Sequence, residues 1–152
     1  MPQIDPSRLL AASAIAVATL CSSANACAQL GAVMVPKPGA GAPQNLLNGA
    51  LRVRTSTDAG NTTINEYGTS SGEIVAYTWQ GPTMPDLAAL LGRYAGSYRA
   101  GAAAAASHGN LHASRVARPD VIVESGGPMR GYAGRAWLPA ALPPGVTADD
   151  LR

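Results

Sequence analysis

The stretch EIVAYTWQGPTMPDLAALLGRYAGSY, residues 73–98, places the strongest strand signal of the chain directly before its strongest helix signal. Residues 73–80 are rich in Ile, Val, Tyr and Trp, which favours a β-strand. Gly and Pro then end the strand, and Thr83 is expected to cap a helix over about residues 84–99. Apolar residues recur at helical spacing on one side of it, and they are Leu87, Leu90, Leu91, Tyr94 and Tyr98.

Four further segments have the composition or the alternation of short strands, at residues 51–57, 62–67, 121–125 and 131–138. Three strands therefore precede the helix and two follow it. We expect a small α+β fold, in which about five strands form an antiparallel sheet in the order βββ-α-ββ and one helix packs on a face. All seven aromatic residues lie between Tyr67 and Trp137, so residues 51–152 are predicted to form one domain.

The N-terminus has the pattern of a secretory signal peptide. Arg8 precedes an apolar run from residue 9 to residue 20, which is followed by small residues. This pattern predicts a signal peptide over residues 1–28, cleaved near Ala26 or Ala28. The apolar run is too short to span a membrane, and no later run is longer, so no transmembrane segment is expected. We predict an exported protein, periplasmic or secreted.

Export also determines how the cysteines and the following segment are interpreted. Cys21 leaves with the signal peptide, and Cys27 either leaves with it or stands alone at the new N-terminus, where a lipid anchor is an alternative. The mature body therefore has no disulfide. Residues 29–50 are rich in Gly, Pro, Ala and Asn without a sustained period, and they are predicted to form a flexible arm.

Composition argues against a nucleic-acid partner. Charged residues are only 13% of the 152-residue chain, and the net charge is +2. Proteins that bind nucleic acid usually carry a clustered basic face. We expect no nucleic-acid partner.

A glycine-rich stretch, ESGGPMRGYAGRAWLP, occupies residues 124–139. A phosphate-binding loop needs a helix N-terminus behind its glycines, and a nucleophile elbow needs Gly-x-Ser-x-Gly before a helix. Here another strand follows instead. Gly126 and Gly127 are therefore interpreted as a structural turn whose glycines supply positive φ.

His108 and His112 stand four residues apart, which would place both on one face of a helix. Gly109 and Asn110 lie between them and tend to break a helix, and the glutamate of a zinc enzyme is absent. A solvated loop is the expected structure, with loose metal affinity as the alternative. We predict no metal site and no cofactor.

Catalytic side chains are present without an evident arrangement. Ser125 has neither a histidine nor a nucleophile elbow near it in sequence, although partners distant in sequence stay open. The carboxylates on or beside the predicted strands are Glu66, Glu73 and Glu124, and lone carboxylates of this kind usually face solvent. We therefore predict no catalytic residue.

Aromatic residues on the sheet give the clearest candidate for binding. Tyr77 and Trp79 share one face of their strand, and Arg135 and Trp137 share one face of the last strand. Small residues on the opposite faces, Ala76, Gly134 and Ala136, are expected to lie beneath the helix. The four larger residues would then form a binding face, since Tyr, Trp and Arg are enriched where proteins bind partners. The alternative is that the rings form the core.

Two blocks, TWQGPTMPDLAALLG at 78–92 and ESGGPMRGYAGRAWLPAALPPGV at 124–146, resemble a group of small exported proteobacterial proteins classified as a domain of unknown function. The resemblance implies export and a single domain, and it supplies no activity. We expect a non-enzymatic binding or accessory module of the cell envelope with an envelope protein or peptide as partner. A small periplasmic hydrolase and a structural accessory protein without a ligand are the alternatives.

Overall fold

The computed structural model describes residues 28–106, 113–128 and 131–152. The described part of the chain contains seven β-strands and two α-helices joined by a 3-10 turn at Gly92–Tyr94. The strands are β1 (Gln44–Leu46), β2 (Leu51–Thr57), β3 (Thr63–Thr69), β4 (Ile74–Gly81), β5 (Ala113–Ala117), β6 (Ile122–Gly126) and β7 (Tyr132–Trp137), and the helices are α1 (Leu87–Leu91) and α2 (Ala95–Ala105).

All seven strands form one antiparallel sheet in the order β1-β2-β3-β4-β7-β6-β5. The expected α+β fold with five strands in the order βββ-α-ββ is therefore wrong, because the protein is mostly β and four strands precede the helical segment. The two missed strands, β1 and β5, lie at the edges. Each has a weak strand sequence, QNL and ASRVA, and becomes a strand by pairing with a neighbour.

One face of the sheet, which we call the helix face, carries α1 and α2. Leu91 is fully buried there, and Leu87, Leu90, Tyr94 and Tyr98 pack against the same core cluster. The predicted apolar side of the helical segment is thus confirmed. Its cap is not Thr83 but Asp86, whose carboxylate accepts a hydrogen bond from the Ala89 amide at 3.0 Å.

Residues 28–35 also lie against the helix face. The Leu30 amide donates to the carbonyl of Leu90 at 2.9 Å, and the Gly31 amide donates to that of Ile74 at 2.7 Å. Ala28 and Leu30 are buried in the same cluster as the helices. Ala28, the last residue of the predicted signal peptide, and the first residues of the predicted flexible arm are therefore built into the domain, between the sheet and α1.

A buried ion pair joins residues 28–35 to the sheet. Arg54 donates to the backbone carbonyl of Val35 and binds Glu66 at 2.5 Å, and both side chains are almost fully buried. The Tyr77 hydroxyl donates to the Ala28 carbonyl at 2.6 Å and lies 3.4 Å from Glu66. Burial raises the pKa of Glu66 above its usual 4.5, and the Arg54 charge opposes that rise.

The opposite face, which we call the tail face, is covered in part by residues 138–152. Leu51, Tyr67, Val75, Ala76 and Trp137 form its core with Val146 and Leu151 of this segment. The Tyr67 hydroxyl donates to the backbone carbonyl of Arg152. A 3-10 turn at Ala148–Asp150 is held by a capping box in which Thr147 and Asp150 bind each other's backbone.

The glycine pair at the end of β6 has one residue with a special conformation. Gly127 has φ of 139°, and a Cβ there would overlap the carbonyl oxygen of Gly131. Gly126 is the last residue of β6 and pairs with Ala133. Only Gly127 therefore requires glycine for its backbone.

We predict that Arg54→Met lowers the free energy of unfolding by about 3–5 kcal/mol at pH 7, because Glu66 is then buried without its partner. The double variant Arg54→Met/Glu66→Met should recover most of this loss, since both charges are removed together. Urea denaturation of the two variants measures the difference. A double variant as unstable as the single one would contradict the assignment.

The same pair predicts a pH dependence. The raised pKa means that the folded protein holds this proton more tightly than the unfolded chain, so the contribution of Glu66 to stability is full below about pH 4.5 and is lost as the pH rises through its folded pKa. Glu66→Gln should therefore show a smaller fall in stability above pH 4.5 than the wild type. An unchanged pH profile would contradict this.

Candidate functional site

The four residues of the expected binding face lie on opposite sides of the sheet. Tyr77 pairs with Ala136, and Thr78 pairs with Arg135, so Tyr77 and Arg135 point to different faces. Tyr77 and Trp79 are only 1% and 2% exposed, on the helix face. The expectation of one shared aromatic face is therefore wrong.

The small residues explain the reversal. Gly134 pairs with Trp79 across the sheet, and a Cβ on Gly134 would overlap the indole ring. Ala136 lies opposite Tyr77 in the same way. Small residues in β7 thus make room for the two rings, and the helices pack over the rings rather than over the bare strand. The alternative that these rings form the core is correct.

Arg135 and Trp137 do share a face, as expected. The Arg135 guanidinium lies 5.3 Å from the centre of the Trp137 ring, within the range of a cation–π contact. Trp137 is only 5% exposed, however, because residues 138–152 cover it. Arg135 therefore marks the boundary between the covered part of the tail face and a part that stays open.

Beyond that boundary, polar side chains form two rows across the strands of the tail face. In the first, which we call the charged row, paired residues run from β2 to β5: Thr55, Asn65, Thr78, Arg135, Glu124 and Arg115. The second, which we call the small row, is Thr63, Gln80, Ala133, Gly126 and Ala113. Neither row could be found from one strand alone, because the charged row takes one residue from each of six strands and the small row one from each of five.

Glu124 holds the charged row together. One of its oxygens accepts from Nε of Arg135 at 2.7 Å, and the other is 3.0 Å from Nε of Arg115. Arg135 also donates to the carbonyl of Ala148 at 2.6 Å, which ties the row to the covering segment. Arg115 differs from Arg135 in that its side chain is 62% exposed. At the other end of the row, Asn65 donates to the Thr78 hydroxyl at 3.2 Å.

These rows line a groove of about 870 Å³, which we call the open groove. Leu151 and Arg152 form the wall nearest the covered half of the tail face. Gln80, Ala133 and Ala113 of the small row are exposed, and three of the five residues in this row are Ala or Gly. The arrangement can form hydrogen bonds and ion pairs with a polar ligand that lies across the strands.

The candidate catalytic residues within the described part of the chain differ in their surroundings. Ser125 lines the open groove, but Glu124 binds two arginines, Glu66 belongs to the buried pair, and the backbone of Glu73 pairs with Val33. His108 and His112 lie outside the described residues. Among residues 28–106, 113–128 and 131–152, no group of three or more His, Cys, Asp or Glu could hold a metal ion.

One polar atom of the Trp79 indole is buried without a partner. Its Nε1 has no hydrogen-bond partner within the described ranges.

In residues 28–106, 113–128 and 131–152, no helix is both long and apolar enough to cross a membrane.

Comparison with known proteins identifies a family. Residues 16–151 match the model of a protein family of unknown function, DUF2844, so this chain belongs to that family. The match includes every described residue that lines the open groove except Arg152. No curated protein and no solved structure matches the chain.

Proposed function

We propose that this member of the DUF2844 family is an exported, non-enzymatic binding or accessory module of the cell envelope, and that its ligand surface is the open groove. The observation that carries the proposal is the division of the tail face. Residues 138–152 cover its apolar half, whereas the small row and, apart from the buried Thr78, the charged row are exposed or partly exposed.

An antiparallel sheet often has one solvated face, so exposure alone would not mark a site. The groove differs from a flat solvated face because Leu151 and Arg152 of the covering segment line one side of it. Its volume of about 870 Å³ lies within the range of about 300–1,000 Å³ that is usual for ligand pockets. Donors and acceptors from five strands converge on it.

The hydrolase alternative has less support. A serine nucleophile needs a base within hydrogen-bond reach. Both oxygens of Glu124 are engaged by arginines rather than by a serine hydroxyl. A purely structural accessory protein remains the other alternative, and it differs in requiring no ligand at the groove.

Export rests on the N-terminal sequence pattern. Cleavage after Ala26 would keep Ala28 and its bond to the Tyr77 hydroxyl, whereas cleavage after Ala28 would place a new ammonium group at Gln29. We predict that mass spectrometry of the periplasmic fraction finds a mature chain that starts at Cys27 or Gln29. Recovery of only the intact chain from Met1, in the cytoplasm, would reject export.

The groove is tested by site-specific crosslinking in cells. Benzoylphenylalanine in place of Gln80, which is exposed in the small row, should give a discrete crosslinked product in the envelope. The matched control is the same residue in place of Arg99, which is exposed on α2.

We expect the product at position 80 and none at position 99, and the product should disappear when Arg115→Gln is added. Equal products at both positions, or none at position 80, would contradict a ligand surface in the groove.

A further inference from the structure

We infer that the open groove binds an extended acidic peptide segment that runs across the strands. The inference rests on the proposed function and adds the chemistry of the ligand. It depends on the length of the groove, on its charge and on the side chains beside the charges.

The length suits a short extended chain. The charged row crosses from β3 to β5 over five adjacent strands. Neighbouring strands lie about 4.8 Å apart, so this part of the row is about 19 Å long. An extended peptide advances about 3.3 Å per residue, and about six residues would span it. Leu151 and Arg152 line one side, which favours a ligand that lies along the rows.

The charge of the groove favours an anion. Three arginine side chains line it, Arg115, Arg135 and Arg152, and Glu124 is the one acidic side chain among its described lining residues. Arg135 is engaged by Glu124, by the Ala148 carbonyl and, at 3.6 Å, by Asp149. Arg115 binds Glu124 through Nε, and its two terminal amino groups have no partner in the described part of the chain. That exposed fork matches the two oxygens of a carboxylate.

The uncharged side chains favour a peptide. Thr63 and Gln80 are exposed beside the charged row, and each offers both a donor and an acceptor to a peptide backbone. Bases of single-stranded nucleic acid bind by stacking on aromatic rings. The described lining contains one aromatic residue, Trp79, whose side chain is buried on the helix face. An acidic peptide therefore fits the groove better than a nucleic acid.

The test is fluorescence anisotropy with three labelled hexapeptides of equal length, one rich in Asp and Glu, one rich in Ser and Gly, and one rich in Lys. The mature protein should bind the acidic peptide most tightly, by at least about tenfold in Kd over the other two. Binding should weaken as NaCl is raised from about 50 mM to about 500 mM, because the salt screens exposed charges.

Two groove variants and one control make the test specific. Arg115→Gln should weaken binding of the acidic peptide about tenfold, and Gln80→Glu should weaken it while improving binding of the Lys-rich peptide. Arg99→Gln removes one exposed arginine on the helix face and should leave Kd within about twofold. Circular dichroism and thermal melting of each variant check that the fold is intact.

Equal affinity for the three peptides, or equal losses in Arg115→Gln and Arg99→Gln, would overturn the inference. Tighter binding of a polyphosphate of matched charge would overturn the peptide assignment. The proposed function is tested separately. If crosslinking at position 80 succeeds while the acidic peptide does not bind, the groove remains the proposed ligand surface and an acidic peptide is rejected as its ligand.

Discussion

On the tail face, the charged row lies beside a row of apolar residues that includes Ala76 and Trp137. The apolar side chains of residues 138–152, among them Val146 and Leu151, pack on that apolar row. The two rows are adjacent in register: Ala76 pairs with Trp137, and two residues further along β4 and back along β7, Thr78 pairs with Arg135. Burying Trp137 and Tyr67 under Val146 and Leu151 stabilises the covering segment. Burying Arg135 and Glu124 in the same way would require their desolvation, so the cover ends where the charges begin.

The helix face is covered by two parts of the chain. Residues 28–35 and the two helices pack over Tyr77 and Trp79, and the Arg54–Glu66 pair is buried beneath them. Such a pair adds less stability than its short distance implies, because both ions lose water. It fixes the position of residues 28–35 through the Val35 carbonyl. The helix face therefore serves the fold, and the proposed ligand surface lies on the tail face.

Much of the local structure could be predicted from the sequence. The strands β2, β3, β4, β6 and β7 were expected from their composition and alternation, and so was the buried side of the helical segment around Leu91. The edge strands were not, because QNL and ASRVA carry little strand preference. Their conformation depends on a partner that is specified elsewhere in the chain.

The site was harder to predict, since it depends on register. Alternation within β4 places Tyr77 and Thr78 on opposite faces of the sheet, but it does not determine which of the two shares a face with Arg135. A register shift at Tyr67 and Gly68 also places the consecutive residues Val75 and Ala76 in one cluster, against strict alternation. The charged row forms only when six strands are paired, so it cannot be recognised in the sequence of any single segment.

The division of the tail face can be measured directly by thiol labelling. Single cysteines at Gln80 and Ala133 in the small row, and at Val75 and Ala76 in the covered half, would be introduced with Cys21 and Cys27 replaced by serine. The account predicts that the first pair reacts at nearly the rate of an unfolded peptide, while the second pair reacts about a hundredfold or more slowly, because it requires opening of the fold. Equal protection at all four positions would contradict an open groove.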